Sequence, residues 1–229
     1  EVARALGARP FDTLDLVGLL VTTLTDTEEG DAWPQAWLRD GLRPVLNALG
    51  REAAALPVDT LRALPMLPDQ ASPSRARRPA NLRRCSAALR ALYGPVRAFL
   101  AEGLDHDPSP EQAALIEVLS VARHGDAELL EDLQQADLAT RLLDHAGPFA
   151  LHSYLADLPR DAMAGLGRLP LFPDRLGRRR PLTRGPFGAV WLLPDGPLAP
   201  VVAALPPERC HPVVDPALAE PLRGYLVGL

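Results

Sequence analysis

The chain has 229 residues, 47% of them apolar, and a formal net charge of −5. That length and composition can bury a substantial core and exclude a disordered or fibrous chain. No apolar run approaches the roughly 18 residues of a bilayer span, so neither a membrane protein nor a signal peptide is read here.

All 24 basic side chains are arginines, and Ile116 is the only isoleucine. This pattern resembles codon bias in a GC-rich genome, bacterial for preference, so abundant arginine is weak evidence for nucleic-acid binding. The apolar residues are mainly Leu, Ala and Val, which favours helix. Cys85 and Cys210 stand far apart without metal-type spacing, which fits a reduced, cytoplasmic chain.

In chain order, "DTLDLVGLLVTTL" (12–24) predicts a helix capped by Asp12, with Leu16, Leu19, Leu20 and Leu24 on one side. A second helix is expected from about Pro34 to Leu49, kinked at Pro44. Asp59 starts one helical turn, and Pro65 and Pro68 prevent a longer one. An extended piece at 64–67, a loop through Ser74 and a return strand before Pro79 follow. A long helix is expected over about 81–103, bent at Gly94-Pro95. Ser109, Pro110 and Gln112 form a capping-box signature for a helix ending near Arg123. Further helices run from Asp126 to about Leu158. After residue 168 short apolar pieces alternate with Pro, Gly and Asp, which predicts strands and turns at 169–193. Helix returns at 198–205 and 216–226. The fold class expected is an α-rich α+β, organised as 1–104 and 105–229.

One hexamer occurs twice: "LPMLPD" at 64–69 and "LPLFPD" at 169–174. Leu64, Pro65, Leu67, Pro68 and Asp69 in the first copy match Leu169, Pro170, Phe172, Pro173 and Asp174 in the second. Each is preceded by Leu-Pro-x-Asp and followed by arginines ending in proline. These are Arg75, Arg77 and Arg78 before Pro79, and Arg178, Arg179 and Arg180 before Pro181. Proline cannot donate to a ladder and Asp favours a turn, so each copy predicts a buried strand, a turn (through Gly177 in the second) and a solvent-facing arginine-rich return strand. Trp191, on the strand after it, is the expected neighbour of Phe172.

The run "LPLFPDRLGRRRPLTRGPFGAVWLLPD" resembles the recurrent segment of sacsin-like proteins, large chaperone-associated chains with ATP-binding modules of the ninety-kilodalton heat-shock class. Residues 169–174, Gly177 and 192–195 carry the likeness, with 213–229 and 3–24 resembling the flanking pieces. The resemblance implies a segment of a longer protein that starts and stops inside one repeat. The family's nucleotide site needs a helix-borne Asn and Asp-x-Gly-x-Gly. Asn47 and Asn81 are the only asparagines, and no such glycine motif occurs.

The residues themselves suggest no reaction. His106, His124, His145, His152 and His211 lack metal-ligand spacing. There is no Gly-x-Ser-x-Gly, Walker A or Gly-x-Gly-x-x-Gly motif. No catalytic residue, cofactor or metal is expected. The reading is a non-catalytic scaffold or client-binding module with protein partners and adjacent domains of its own chain. The alternative is a nucleic-acid-binding module using the arginine clusters at 75–84 and 175–184.

Overall fold

A computed structural model describes residues 11–29, 31–33, 37, 41–182, 190, 192, 198–206 and 213–229. The fold is α-rich α+β. Its helices begin with α1 (Thr13–Leu24), α2 (Leu42–Arg51) and α3 (Val58–Ala63), followed by the hairpin β1 (Leu67–Pro68) and β2 (Ala76–Arg77). Next come α4 (Ala87–Tyr93), α5 (Glu102–Asp105), α6 (Pro110–Val118), α7 (Asp126–Gln134), α8 (Ala136–Ala146) and α9 (Pro148–Ala156). A second hairpin, β3 (Phe172–Pro173) and β4 (Arg179–Arg180), precedes α10 (Leu198–Ala204), α11 (Pro216–Ala219) and α12 (Arg223–Gly228). Contacts divide the chain into two compact units, Glu1–Cys85 with Arg97–Arg123, and Ser86–Val96 with His124–Leu229. A cut after residue 104 runs along the sequence, whereas these units interleave.

In the first unit α1 starts at a capping box. The Asp15 amide donates to the Asp12 carboxylate and the Asp12 amide to the Asp15 carboxylate. The helix buries Val17, Leu20 and Leu24. Pro44 falls on the third residue of α2, where no intrahelical donor is lost, and Leu42, Leu46 and Leu49 face the core. The expected Ser109–Gln112 capping box opens α6. Short extended segments lie across this unit. Residues 31–33 pair with the return strand, β1 pairs with 98–101, and 83–84 lie between 98–100 and 122–123.

The long helix expected over 81–103 is not formed. Ser86 caps a short α4, which ends at Gly94 with φ +48° and ψ −123°. The chain then returns as the extended segment 98–101 before α5. The apolar repeat at three- and four-residue steps here reports burial in two different elements rather than one helix face. The helix expected over 216–226 is likewise two, α11 and α12.

In the second unit α7, α8 and α9 follow one another, and α4 packs on α8 and α9. Its core includes Leu129, Leu133, Leu142, Leu143, Leu151 and Leu155. The buried Tyr93 hydroxyl donates to Asp132 Oδ2 at 2.7 Å. His124 stands edge-on to the Tyr93 ring, with centroids 4.9 Å apart.

Candidate functional site

Both copies of the hexamer fold as hairpins, each with the same local hydrogen bonds. In the first, the Leu64 amide donates to the Leu61 carbonyl and the Met66 amide to the Leu64 carbonyl, at 3.2 and 2.9 Å. In the second, Leu169 and Leu171 repeat this toward Leu166 and Leu169, at 3.0 and 2.8 Å. Residues Leu64 to Asp69 are all buried. In the second copy Leu171 to Asp174 are buried, Leu169 is half-buried and Pro170 is exposed. Phe172 and Leu67 have no exposed surface, so the strand turns core-forming side chains inward in both copies. Trp191, the expected neighbour of Phe172, lies outside the described residues.

The aspartate that closes each hexamer does more than end a strand. Asp69 Oδ1 accepts from the Ala71 amide at 3.0 Å and Oδ2 from Arg77 Nε at 3.3 Å. Asp174 Oδ1 accepts from the amides of Leu176 and Arg178, both at 2.9 Å, and Oδ2 from Arg180 Nε at 2.9 Å. Burial would raise the Asp174 pKa, but the two amides and the Arg180 guanidinium outweigh it and hold the carboxyl below its ordinary value. Both oxygens of this buried carboxylate are bound by amides and a guanidinium of its own hairpin, which is the pattern of a structural anion. Gly177 takes φ +74° in the tighter second turn, a conformation that suits glycine.

The register defines which arginines correspond. Leu67 lies opposite Arg77, and Phe172 lies opposite Arg180. Aligning the two sequences on Arg-Pro would instead equate Arg78 with Arg180. The turn at 69–75 is two residues longer than that at 174–178, and one further residue, Arg78, stands between the paired arginine and Pro79 in the first copy, which displaces the match by one.

The expectation of solvent-facing arginines is therefore corrected for the side chains that matter. Arg77 and Arg180 point to the buried aspartates. Arg179 is paired with Asp144 and donates to the Thr140 carbonyl. Arg175 donates to the carbonyls of Val202 and Leu205, both at 2.9 Å. Arg75, Arg78 and Arg178 are exposed.

A third extended segment completes each hairpin and was not legible in sequence. The Ala101 amide donates to the Pro68 carbonyl at 3.1 Å, and the Gln70 amide to the Phe99 carbonyl at 2.8 Å. In the second unit the Asp215 amide donates to the Pro173 carbonyl at 3.0 Å, and the Arg175 amide to the Val213 carbonyl at 3.2 Å. Both third segments lead into a short helix, α5 or α11. The Gln70 side chain receives the Glu102 amide at the start of α5, and Asp215 receives the Ala217 amide in α11. "AFLAEG" and "HPVVDPALAE" share too few residues for the match to appear before the hydrogen bonds do.

His152 is the other group missed by spacing. Fully buried on α9, it stacks on Phe172 with centroids 4.7 Å apart. Nε2 lies 3.1 Å from the Leu171 carbonyl, which can only accept, and Nδ1 lies 3.1 Å from the Tyr225 hydroxyl. The neutral ring with its proton on Nε2, accepting from Tyr225 at Nδ1, satisfies both contacts. Burial pushes the imidazole down to about 4, against the raising effect of the Leu171 carbonyl, and burial pushes the Tyr225 phenol up. His152 thus ties α9, the second hexamer and α12 together.

Among the described residues no group of His, Cys, Asp and Glu is placed to hold a metal, and no helix is long and apolar enough to cross a membrane. Comparison with known protein families, with curated proteins and with solved structures finds no match to this chain.

Proposed function

We propose that the chain is a non-catalytic scaffold and client-binding module of a sacsin-like, chaperone-associated protein, working in the cytoplasm. The observation that supports this reading is the repeated joint. Two units carry the same hairpin, the same buried Asp–Arg pair and the same third segment, so what has been duplicated is a structural element. A duplicated reaction centre would be expected to repeat a nucleophile, a base or a ligand set, and the joint repeats a buried carboxylate held by an amide and an arginine of its own hairpin instead. Nucleic-acid binding through the arginine clusters draws less support, because Arg77, Arg179 and Arg180 are engaged by carboxylates, leaving Arg75, Arg78 and Arg178 as the exposed arginines among the described residues of the clusters.

The test is aggregation of a thermally unfolding model client, followed by light scattering with and without the chain. Suppression near equimolar ratio is expected, unchanged by Mg-ATP. A parallel titration with duplex DNA at low salt is expected to show no binding. Failure to suppress scattering removes the client-binding reading. DNA binding whose log affinity falls linearly with log salt replaces it with the nucleic-acid one.

A further inference from the structure

Residues 83–84 and 98–100 run side by side in the first unit, and Arg83 and Phe99 form a parallel bridge. The Leu100 amide donates to the Arg83 carbonyl at 2.9 Å, and the Arg83 amide to the Ala98 carbonyl at 3.2 Å. Parallel neighbours cannot be joined by a tight turn. They need a crossover, usually a helix that packs back on its own strands. Here the crossover is α4 with the turn after it, and it packs elsewhere. Ser86–Val96 belongs to the second unit, although Glu1–Cys85 before it and Arg97–Arg123 after it belong to the first.

The second unit holds this crossover along its whole length. Leu89, Leu92 and Tyr93 of α4 are buried, and the helix packs on α8 and α9. The Tyr93 hydroxyl is bound to Asp132. The reversal that follows is fixed by α8. Gly94 takes φ +48° with the His145 ring against it, so that a Cβ there would lie 1.9 Å from Nε2. Arg141 donates to the Val96 carbonyl at 3.2 Å. Two residues later the chain enters the segment 98–101, whose Ala101 amide donates to the Pro68 carbonyl of the first hexamer. A residue spans at most about 3.6 Å, so Val96 cannot move far without pulling Ala98 with it.

We infer that α4 and its turn form a strap by which the second unit holds the third segment of the first joint, so that a partner or modification acting on α8 is felt at the first hairpin. The coupling runs through the chain itself and is reciprocal.

The test is hydrogen exchange of the full chain, read by NMR at the Arg83, Leu100 and Ala101 amides of the first unit, for substitutions made in the second. Arg141→Ala removes an exposed side chain, so the fold is kept, and it releases the Val96 carbonyl. Exchange at the three amides should rise about fivefold, the worth of roughly one hydrogen bond. Gly94→Ala forces either the His145 ring aside or the turn off α8, and should raise exchange at least about tenfold. Tyr154→Phe is the control. It removes a hydrogen bond of the second unit that lies off the strap, from Tyr154 to Asp126 at 2.6 Å, and should leave the three amides within about twofold. The inference is overturned if Arg141→Ala leaves Leu100 and Ala101 unchanged, a result that decides even where Gly94→Ala does not fold. It is equally overturned if Tyr154→Phe speeds these amides as much as Arg141→Ala does, since the chain would then loosen as a whole and the strap would have no part in it.

Discussion

Asp174 concentrates the energetics of the second joint. A buried carboxylate holding two amides and a guanidinium is hard to replace, because each lost acceptor strands a donor. Asp174→Asn is expected to cost about 3 kcal/mol in a denaturant melt, by analogy with breaking other buried pairs. Arg178→Ala removes only an exposed side chain, since the Arg178 backbone amide makes the contact, and should stay within about 0.5 kcal/mol. Arg179→Ala lies between, losing an ion pair whose carboxylate is largely exposed and is therefore worth at most about 1 kcal/mol.

His152 sets a pH dependence of its own. Its folded pKa of about 4 lies below the ordinary 6.5, so between these values the unfolded chain binds the proton and the native state does not. Its stabilising effect is complete above about 6.5, falls as pH drops toward 4, and levels off below that. The loss is at most roughly 3 kcal/mol, from the size of the shift. Denaturant midpoints across pH 7 to 4 should fall more steeply for the wild type than for His152→Gln, which does not titrate. Parallel slopes for the two would refute the buried neutral assignment.

At the level of elements, close approach decides what glycine positions tolerate. A Cβ on Gly50 would lie 1.9 Å from the Glu111 carbonyl oxygen, which is backbone and cannot rotate away. Gly50→Ala must therefore push α2 from α6, at about 1–3 kcal/mol. Gly18 on α1 has nothing within 4 Å, so Gly18→Ala should raise stability by about 0.5–1 kcal/mol through helix propensity. Thermal melts of the pair should move in opposite directions, and a destabilised Gly18→Ala would contradict the placement of that face of α1.

Local capping signals made several elements legible in advance. Asp12 and Ser109 start helices where their side chains reach the third amide, as expected. The region 81–103 was not legible. Leu82, Leu89, Leu92 and Leu100 are all buried, and their spacing matches a helix, yet Leu82 and Leu100 belong to extended segments. A buried two-sided segment and a helix face leave the same mark on a short apolar run. Gly94-Pro95 signals a break but not the reversal that follows it.

Across the whole molecule the repeat is the organising fact. Each unit closes its hairpin with a third segment, held by the amides of Ala101 and Asp215. Hydrogen exchange at both should be slow, approaching the slowest amides of their units, because opening either requires the hairpin to separate. Leu67→Ala removes a fully buried side chain and should cost about 2–5 kcal/mol, speeding exchange at Ala101. Fast exchange at Ala101 or Asp215 in the wild-type chain would mean that the third segments are not part of the joint.

The sequence alone determined the helix caps, the α-rich class, the two hairpins and the residues that end their strands. These depend on local chemistry: a side chain reaching a nearby amide, a proline that cannot donate, an aspartate that favours a turn. Tertiary structure alone decided that the aspartates are buried, that Arg77 corresponds to Arg180, and that 98–101 and 213–215 complete the joints. It also decided that His152 is neutral. The arginine match depends on turn length within a hairpin, and the third segments and His152 depend on partners tens of residues away, which residue type does not encode.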